Sequence, residues 1–227
     1  MSRDGVRGGA QGKTRCMSMR VVEWFPPLFR DRVQAGRALA DAVAAAPPEQ
    51  PLVVALARGG VAVAVEVARR LRAPVTAVGV ARVNAHGLRL GATTGAGPPY
   101  LVAGHGVPEE AVAPVVERAR RDAGAVDRRL ALGLPSVGGR TVLVVDDGAV
   151  TGLTLAAGCR WALGAGAARV VAAVPVAAPR GVARVAEVAE AVICPHVLDA
   201  LEIVGQAYED FEALDEWFVA GLLEDAR

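Results

Sequence analysis

Five β-branched and aliphatic residues, Thr141 to Val145, run straight into two adjacent carboxylates, Asp146 and Asp147, and this junction constrains the fold more than any other stretch. The run is too short for a helix and has no polar break, so it reads as a buried strand. A turn of small residues follows, Gly148-Ala149-Val150-Thr151-Gly152, and a helical pattern begins at Leu153. A strand that passes through a glycine-bounded loop into a helix aims unpaired backbone N–H groups at one point, where a phosphate monoester is stabilised. The hydroxyls of Thr151 and Thr154 add donors. Asp146 and Asp147, at the strand end, can accept hydrogen bonds from paired sugar hydroxyls. A ligand with both features at that separation is a ribose 5-phosphate. The alternative is that the two carboxylates cap a helix in some other α/β protein.

The same layout occurs earlier in the chain. Leu52 to Leu56 is a buried strand that enters Ala57-Arg58-Gly59-Gly60 and then a helix from Val61 to Leu71. Glycines let the backbone wrap closely around oxygens, and Arg58 supplies positive charge; a tight turn with a solvated Arg is the plainer alternative. Further strands are expected at 74–82, 169–176 and 192–194, with helices at 29–46, 107–132, 153–163, 179–190 and 215–223. On the first of these helices Phe29, Val33, Ala40 and Val43 form the apolar face. The charged helix at 107–132 reads as a solvated face. Alternating strand and helix imply a doubly wound parallel sheet with sites at the carboxyl ends of its strands, where both glycine loops fall. No G-x-G-x-x-G follows a strand, so a dinucleotide fingerprint is absent.

Composition narrows the partners. Among 227 residues the net charge is +1 and aromatics are 4%, which gives no electrostatic or stacking case for nucleic acid or an acidic membrane surface. No apolar run approaches the ~18 residues of a membrane span. Cys16, Cys159 and Cys194 are far apart without C-x-x-C spacing, which favours free thiols in a cytoplasmic protein. His86, His105 and His196 lack metal-ligand spacing, and no metal ligand is assigned. Residues 1–20, rich in Gly, Arg, Ser and Gln, read as a disordered tail preceding one domain at 21–227.

The stretch V-L-V-V-D-D-G-A-V-T-G-L-T resembles the phosphoribosyl-pyrophosphate (PRPP) motif of the type I phosphoribosyltransferases, and A-R-G-G resembles that family's pyrophosphate loop. The resemblance implies a Rossmann-like doubly wound sheet of the type I phosphoribosyltransferase fold, with a flexible loop or β excursion at 84–106 and a small C-terminal hood at 195–227. It implies that Asp146 and Asp147 hold the ribose 2- and 3-hydroxyls, and that Gly148, Ala149, Val150, Thr151, Gly152 and Thr154 bind the 5-phosphate. Ala57, Arg58, Gly59 and Gly60 would bind pyrophosphate, with a cis peptide at or just before Arg58. The segment F-R-D-R-V-Q-A-G-R-A-L-A and the C-terminal C-P-H-V-L-D-A-L-E-I-V-G-Q-A-Y-E-D-F resemble an uncharacterised bacterial branch of the family. Val204, Tyr208 and Phe211 are candidates for the acceptor wall of the hood, or else packing residues.

The activity implied is transfer of 5-phosphoribosyl from PRPP to a nucleobase or another small-molecule acceptor, with release of pyrophosphate. Mg2+ would be bound mainly through PRPP; dimers are common in the family, and the oligomeric state, a homodimer among the options, is left open. One departure matters. Where the bacterial branch shows an Arg-Lys-Leu-Gly-like stretch, this chain has Ala81-Arg82-Val83-Asn84. Arg82 can take the place of the Lys as a catalytic cation, but its companion Arg is missing. That gap leaves open a non-catalytic PRPP- or nucleotide-binding regulatory protein on the same fold.

Overall fold

In chain order the elements are α1 (Arg32–Ala44), β1 (Leu52–Ala57), α2 (Gly59–Leu71), β2 (Val75–Ala85), β3 (Leu88–Thr94), β4 (Tyr100–Leu101), α3 (Glu109–Arg129), β5 (Thr141–Val145), α4 (Leu153–Gly164), β6 (Arg169–Ala173), β7 (Val176–Ala177), α5 (Pro179–Val185), β8 (Ala191–Ile193), β9 (His196–Val197) and α6 (Glu216–Glu224), with a 3-10 turn at Val204–Ala207. The structure, a computed structural model, describes residues 25–130 and 136–226. The tail expected at 1–20 and the expected end of the charged helix at 132 lie outside the described residues.

Seven strands form one sheet in the order β4-β3-β2-β1-β5-β6-β8. β2, β1, β5, β6 and β8 run parallel, whereas β3 and β4 extend the edge antiparallel. From β1 the chain crosses through α2 to β2 on one side; from β5 it crosses through α4 to β6 on the other. The strand order therefore reverses between β1 and β5, which opens a crevice at their carboxyl ends. The two glycine loops of the sequence flank that crevice.

Both sheet faces are covered, which is why the central strands are apolar throughout. On one face Leu39 and Val43 of α1, Val61 and Val65 of α2, and Val219 and Leu223 of α6 meet Val53, Leu143 and Val171. On the other, Leu155, Cys159 and Trp161 of α4 and Val185 of α5 meet Val54, Val144 and Ala172. Burial raises the thiol pKa of Cys159 to about 12 and that of Cys194 to about 11, so neither is a ready nucleophile. Among the described residues no helix is long and apolar enough to cross a membrane.

Several boundaries differ from the sequence reading for local reasons. α1 starts at Arg32 because the Asp31 side chain accepts the Gln34 N–H and caps it there. Its buried face is Arg32, Ala35, Gly36, Leu39, Ala40 and Val43, and Val33 lies off it. β6 stops at Ala173, and Val176–Ala177 instead pairs with His196–Val197 in a separate two-stranded sheet. α5 ends at Val185 rather than 190.

The β-rich excursion at 84–106 is part of the main sheet. β2 runs on to Ala85, turns through His86 (φ 50°) and Gly87 (φ 75°), and returns as β3. Two successive left-handed residues are what a tight two-residue hairpin requires. Val83, Ala85 and Leu90 point to one side and pack on Val112, Val116 and Ala119 of α3. That fixes the register and sends Arg82 and Arg89 to the opposite, crevice side.

Candidate functional site

A cavity of about 970 Å³ occupies the crevice at the carboxyl ends of β1 and β5. Its wall includes Ala57, Arg58 and Gly59 from the first loop, Asp146 to Thr154 from the second, and Arg82 and Arg89 from the hairpin. Val204 and Phe211 close it from the C-terminal side. Residues spread over most of the chain thus converge on one hollow.

The acidic pair is held by a defined set of donors. Asp146 Oδ1 accepts the Asp147 N–H at 2.9 Å, and Oδ2 accepts the Thr154 hydroxyl at 3.3 Å. Asp147 Oδ2 accepts Nε of Arg32 at 2.9 Å. The side chains of that ion pair are only 10% and 13% exposed, so the charges meet largely out of water. Burial, and then the neighbouring Asp147, push the Asp146 carboxyl well above the usual carboxylate range. Burial also raises Asp147, against the opposing pull of Arg32 and, more weakly, of Arg82. Arg82 is therefore close enough to act electrostatically on the pair.

The two helices that follow the glycine loops, α2 and α4, have no side-chain cap. Arg58 at the start of α2 and Gly152 (φ 72°) at the start of α4 make no such bond, whereas Asp31 and Asp215 cap α1 and α6. Uncapped starts occur also at α3 and α5, and Arg180 of α5 lines the cavity as well; α2 and α4 differ in following directly from the two glycine loops that wall it. Among the described residues no partner accepts from the N–H groups of Val150, Thr151 and Gly152. Arg180 Nε donates to the Val150 carbonyl at 3.2 Å, and Arg184 donates to the Thr151 carbonyl. Both carbonyls are thus drawn toward α5, leaving the loop's N–H groups for an anion.

The peptide bond between Ala57 and Arg58 is cis, at the position expected. Gly59 lies against the acidic pair: a Cβ there would come within 2.1 Å of Asp147 Oδ2. Gly60 does not line the cavity. A Cβ on it would meet the Val145 carbonyl at 2.8 Å, so its smallness serves the packing of α2 on β5.

Three further expected site residues are engaged by the protein itself, although Ala149 and Thr154 also line the cavity. Tyr208 is buried and absent from the cavity wall; it packs between Phe29 and Phe211 and its hydroxyl donates to the Asp147 carbonyl at 2.6 Å. The Ala149 N–H is taken by Val176 O at 3.0 Å and its carbonyl by the Ala178 N–H, because the loop bridges to β7 there. The Thr154 hydroxyl turns to Asp146 rather than to the anion site.

Two residues escaped the sequence reading. Arg89 reaches the cavity from β3, and burial together with Arg82 lowers its pKa, which marks the two guanidinium groups as neighbours. Arg32 was hidden by the wrong helical phase; on the correct one it is the charged member of a stripe that continues through Ala35, Gly36, Leu39 and Val43.

The family described as "Phosphoribosyl transferase domain" matches residues 31–211. The chain belongs to the phosphoribosyltransferase family. Two proteins from strains of Mycobacterium tuberculosis (CDC 1551 / Oshkosh and ATCC 25618 / H37Rv), each named "Putative phosphoribosyl transferase", are 34% identical to it over 215 residues. That match takes in 88% of this chain and 47% of each relative, so the phosphoribosyltransferase chain spans about half their length. The crystal structure of TT1426 from Thermus thermophilus superposes with a TM-score of 0.75 at 35% identity, covering 87% of this chain and 98% of that one. The sheet order and crevice are accordingly those of the type I phosphoribosyltransferase fold.

Proposed function

We propose that this phosphoribosyltransferase uses PRPP, moving its 5-phosphoribosyl group to a nucleobase or other small-molecule acceptor and releasing pyrophosphate. The observation that carries the reading is the bonding of the acidic pair. Asp146 Oδ2 has only the long bond from Thr154, and Asp147 Oδ1 has no donor among the described residues. An Asp147 oxygen without a donor and an Asp146 oxygen carrying a single long bond suit the two neighbouring hydroxyls of a ribose. The segment at 150–154 meets the pair at Asp146 through Thr154, and the Arg58-Gly59 loop meets it at Asp147 through Gly59, an arrangement that suits the two ends of PRPP.

In the reaction, the bond from the anomeric carbon to the pyrophosphate oxygen breaks and its electron pair leaves with pyrophosphate. A lone pair on the acceptor forms the new bond from the opposite face. Positive charge on the sugar in the transition state is favoured by the Asp146–Asp147 pair, and negative charge on the leaving group by Arg58, Arg82 and Arg89. The carboxylates and the phosphate loop also hold the sugar in line for attack. The acceptor would enter beside Val204 and Phe211.

Among the described residues no three or more His, Cys, Asp or Glu side chains cluster as a metal site. A hard cation such as Mg2+ would take most of its oxygens from PRPP and water, with the open oxygens of Asp146 and Asp147 as the protein's contribution. When bound it would neutralise pyrophosphate charge. The non-catalytic alternative leaned on the missing companion cation, and Arg89 now offers one from the facing strand.

The test is titration calorimetry of PRPP into the protein, with and without magnesium, beside the Asp146→Asn/Asp147→Asn variant. Magnesium-dependent binding that the variant loses, followed by pyrophosphate release with an acceptor panel, supports the reading. Absence of binding to the wild type ends it.

A further inference from the structure

Arg32 reaches three parts of the site at once. Its Nε donates to Asp147 Oδ2 at 2.9 Å, and its Nη1 donates to the Glu212 carbonyl at 2.9 Å. Its guanidinium carbon lies 3.8 Å from the centre of the Phe211 ring. The side chain comes from the first turn of α1, more than a hundred residues before the carboxylate it holds. It is the one charged residue on the buried face of that helix.

A buried guanidinium is costly unless each donor is used and its charge is met. Ordinary packing against Ala35 and Leu39 would be served at less cost by an apolar residue, so the choice of Arg calls for a site-related reason. The contacts supply one. Asp147 has two oxygens, and a freely rotating carboxylate would offer either to a sugar hydroxyl. With Oδ2 tied to Arg32, and the Asp147 carbonyl tied to the Tyr208 hydroxyl at 2.6 Å, only Oδ1 is left and its direction is set. The Nε donor is directional, Nη1 is tied to the Glu212 carbonyl and one face of the guanidinium lies on Phe211, so Arg32 has little freedom to follow a moving carboxylate.

We infer that Arg32 is a positioning residue that orients Asp147 toward the ribose and ties the hood segment at 208–212 to that carboxylate. The inference rests on the PRPP reading of the site. Arg32 lines the cavity, but its Nε and Nη1 are taken by Asp147 and the Glu212 carbonyl, so its effect passes through Asp147 rather than through a contact with the substrate. A lysine could restore charge but not the forked geometry, since it has neither the second planar donor nor a flat face for Phe211.

A double-mutant cycle tests this through magnesium-dependent PRPP affinity, with thermal melting run alongside for every variant. Arg32→Gln is expected to weaken PRPP binding roughly ten- to hundred-fold, the size of one charge-assisted hydrogen bond. Arg32→Lys should recover only part of that loss. In an Asp147→Asn background the same Arg32→Gln change should cost less than about three-fold, because the group it acts through is already altered. Inorganic pyrophosphate, which has no sugar hydroxyls, should bind wild type and Arg32→Gln within about two-fold.

Equal PRPP affinity in wild type and Arg32→Gln would overturn the inference while leaving the PRPP reading intact. A loss that is undiminished in the Asp147→Asn background, or that extends equally to pyrophosphate, would also overturn it, since Arg32 would then act on the fold or directly on the ligand. If the wild type binds no PRPP, the parent reading falls and this one with it. Should Arg32→Gln melt too low to assay, the Arg32→Lys variant carries the same cycle.

Discussion

Gly59 and Asp147 share one volume: the carboxylate Oδ2 lies 2.1 Å from where a Cβ on Gly59 would be. The loop proposed for pyrophosphate and the carboxylate proposed for the ribose are therefore not independent features that happen to be neighbours. Asp147 can move aside only by giving up its bond to Arg32, which holds that same oxygen. Gly59→Ala should push the carboxylate off Arg32 and lower stability by about 1–3 kcal/mol. It should also weaken PRPP binding at least about ten-fold, measured by calorimetry on protein shown to be folded by its melting curve. Unchanged affinity would mean that the carboxylate has slack that its partners do not suggest.

The two carboxylates should respond in opposite ways to amide substitution. Burial and Asp147 raise the pKa of Asp146 above its ordinary value of 3.8. Between that value and the raised one the folded state binds more protons than the unfolded state, so Asp146 lowers stability as pH rises through this window. Asp146→Asn removes the penalty, and its amide can still accept the Asp147 N–H while donating to the Thr154 hydroxyl. It is expected to melt at or above the wild-type temperature at pH 7, with the gain shrinking as pH falls toward the ordinary value. Burial raises Asp147 as well, so Asp147→Asn relieves a penalty of the same sign, but it also leaves the buried Arg32 charge without a counter-ion, and that loss should dominate at about 2 kcal/mol. Thermal melts of both variants from pH 4 to pH 8 check the contrast; a lower melting temperature for Asp146→Asn at pH 7 would contradict it.

Much of this arrangement was readable from residue order because the strand–loop–helix junctions are local. Thr141 to Leu153 encodes a buried strand, a carboxylate pair and a glycine turn within one short stretch, and Leu52 to Gly60 likewise joins a buried strand to a glycine turn. What could not be read depends on tertiary register. Arg89 faces the cavity only because β3 pairs with β2 across a two-residue turn, and a Gly-, Thr- and Pro-rich composition had suggested looser structure there. Arg32 required the right helical phase: anchoring α1 on Phe29 and Val33 turned it outward, whereas Ala35, Leu39 and Val43 turn it in. A lone Arg within an apolar stripe was the available signal, because such a residue is seldom buried without a partner. Tyr208 looked like an acceptor wall because its ring is in the hood. Its hydroxyl instead points to a backbone carbonyl that sequence order places 61 residues away.

Arg82 and Arg89 should act as the leaving-group cations. Both stand on exposed positions of the hairpin and line the cavity, so removing either should leave the melting temperature nearly unchanged. Arg82→Ala and Arg89→Ala are each expected to weaken PRPP binding roughly ten-fold at low salt. The loss should be smaller at high salt, where exposed charges are screened. Calorimetry across an ionic-strength series checks this. If Arg89→Ala is neutral at all salt concentrations, the companion cation of this site is not Arg89.

The phosphate loop offers a test that separates its two ends. Arg184 donates to the Thr151 carbonyl and, like Glu187, stands beside Tyr100, whose hydroxyl donates to Glu187 at 2.8 Å. Through this chain, β4 and α5 brace the loop from behind without touching the cavity contents, since Arg184 is not part of its wall. Losing the brace should let the Thr151 peptide rotate, so that the N–H groups at 150–152 no longer converge. Arg184→Met keeps the apolar stem and removes the donor. It should weaken binding of ribose 5-phosphate by about three- to ten-fold, the worth of one such hydrogen bond. Inorganic pyrophosphate, for which the Arg58-Gly59 loop is the proposed site, should bind as before. Equal losses for the two ligands would show that Arg184 acts through general positive charge near the cavity, and no loss for either would show that Arg180 and the β7 bridge at Ala149 hold the loop unaided.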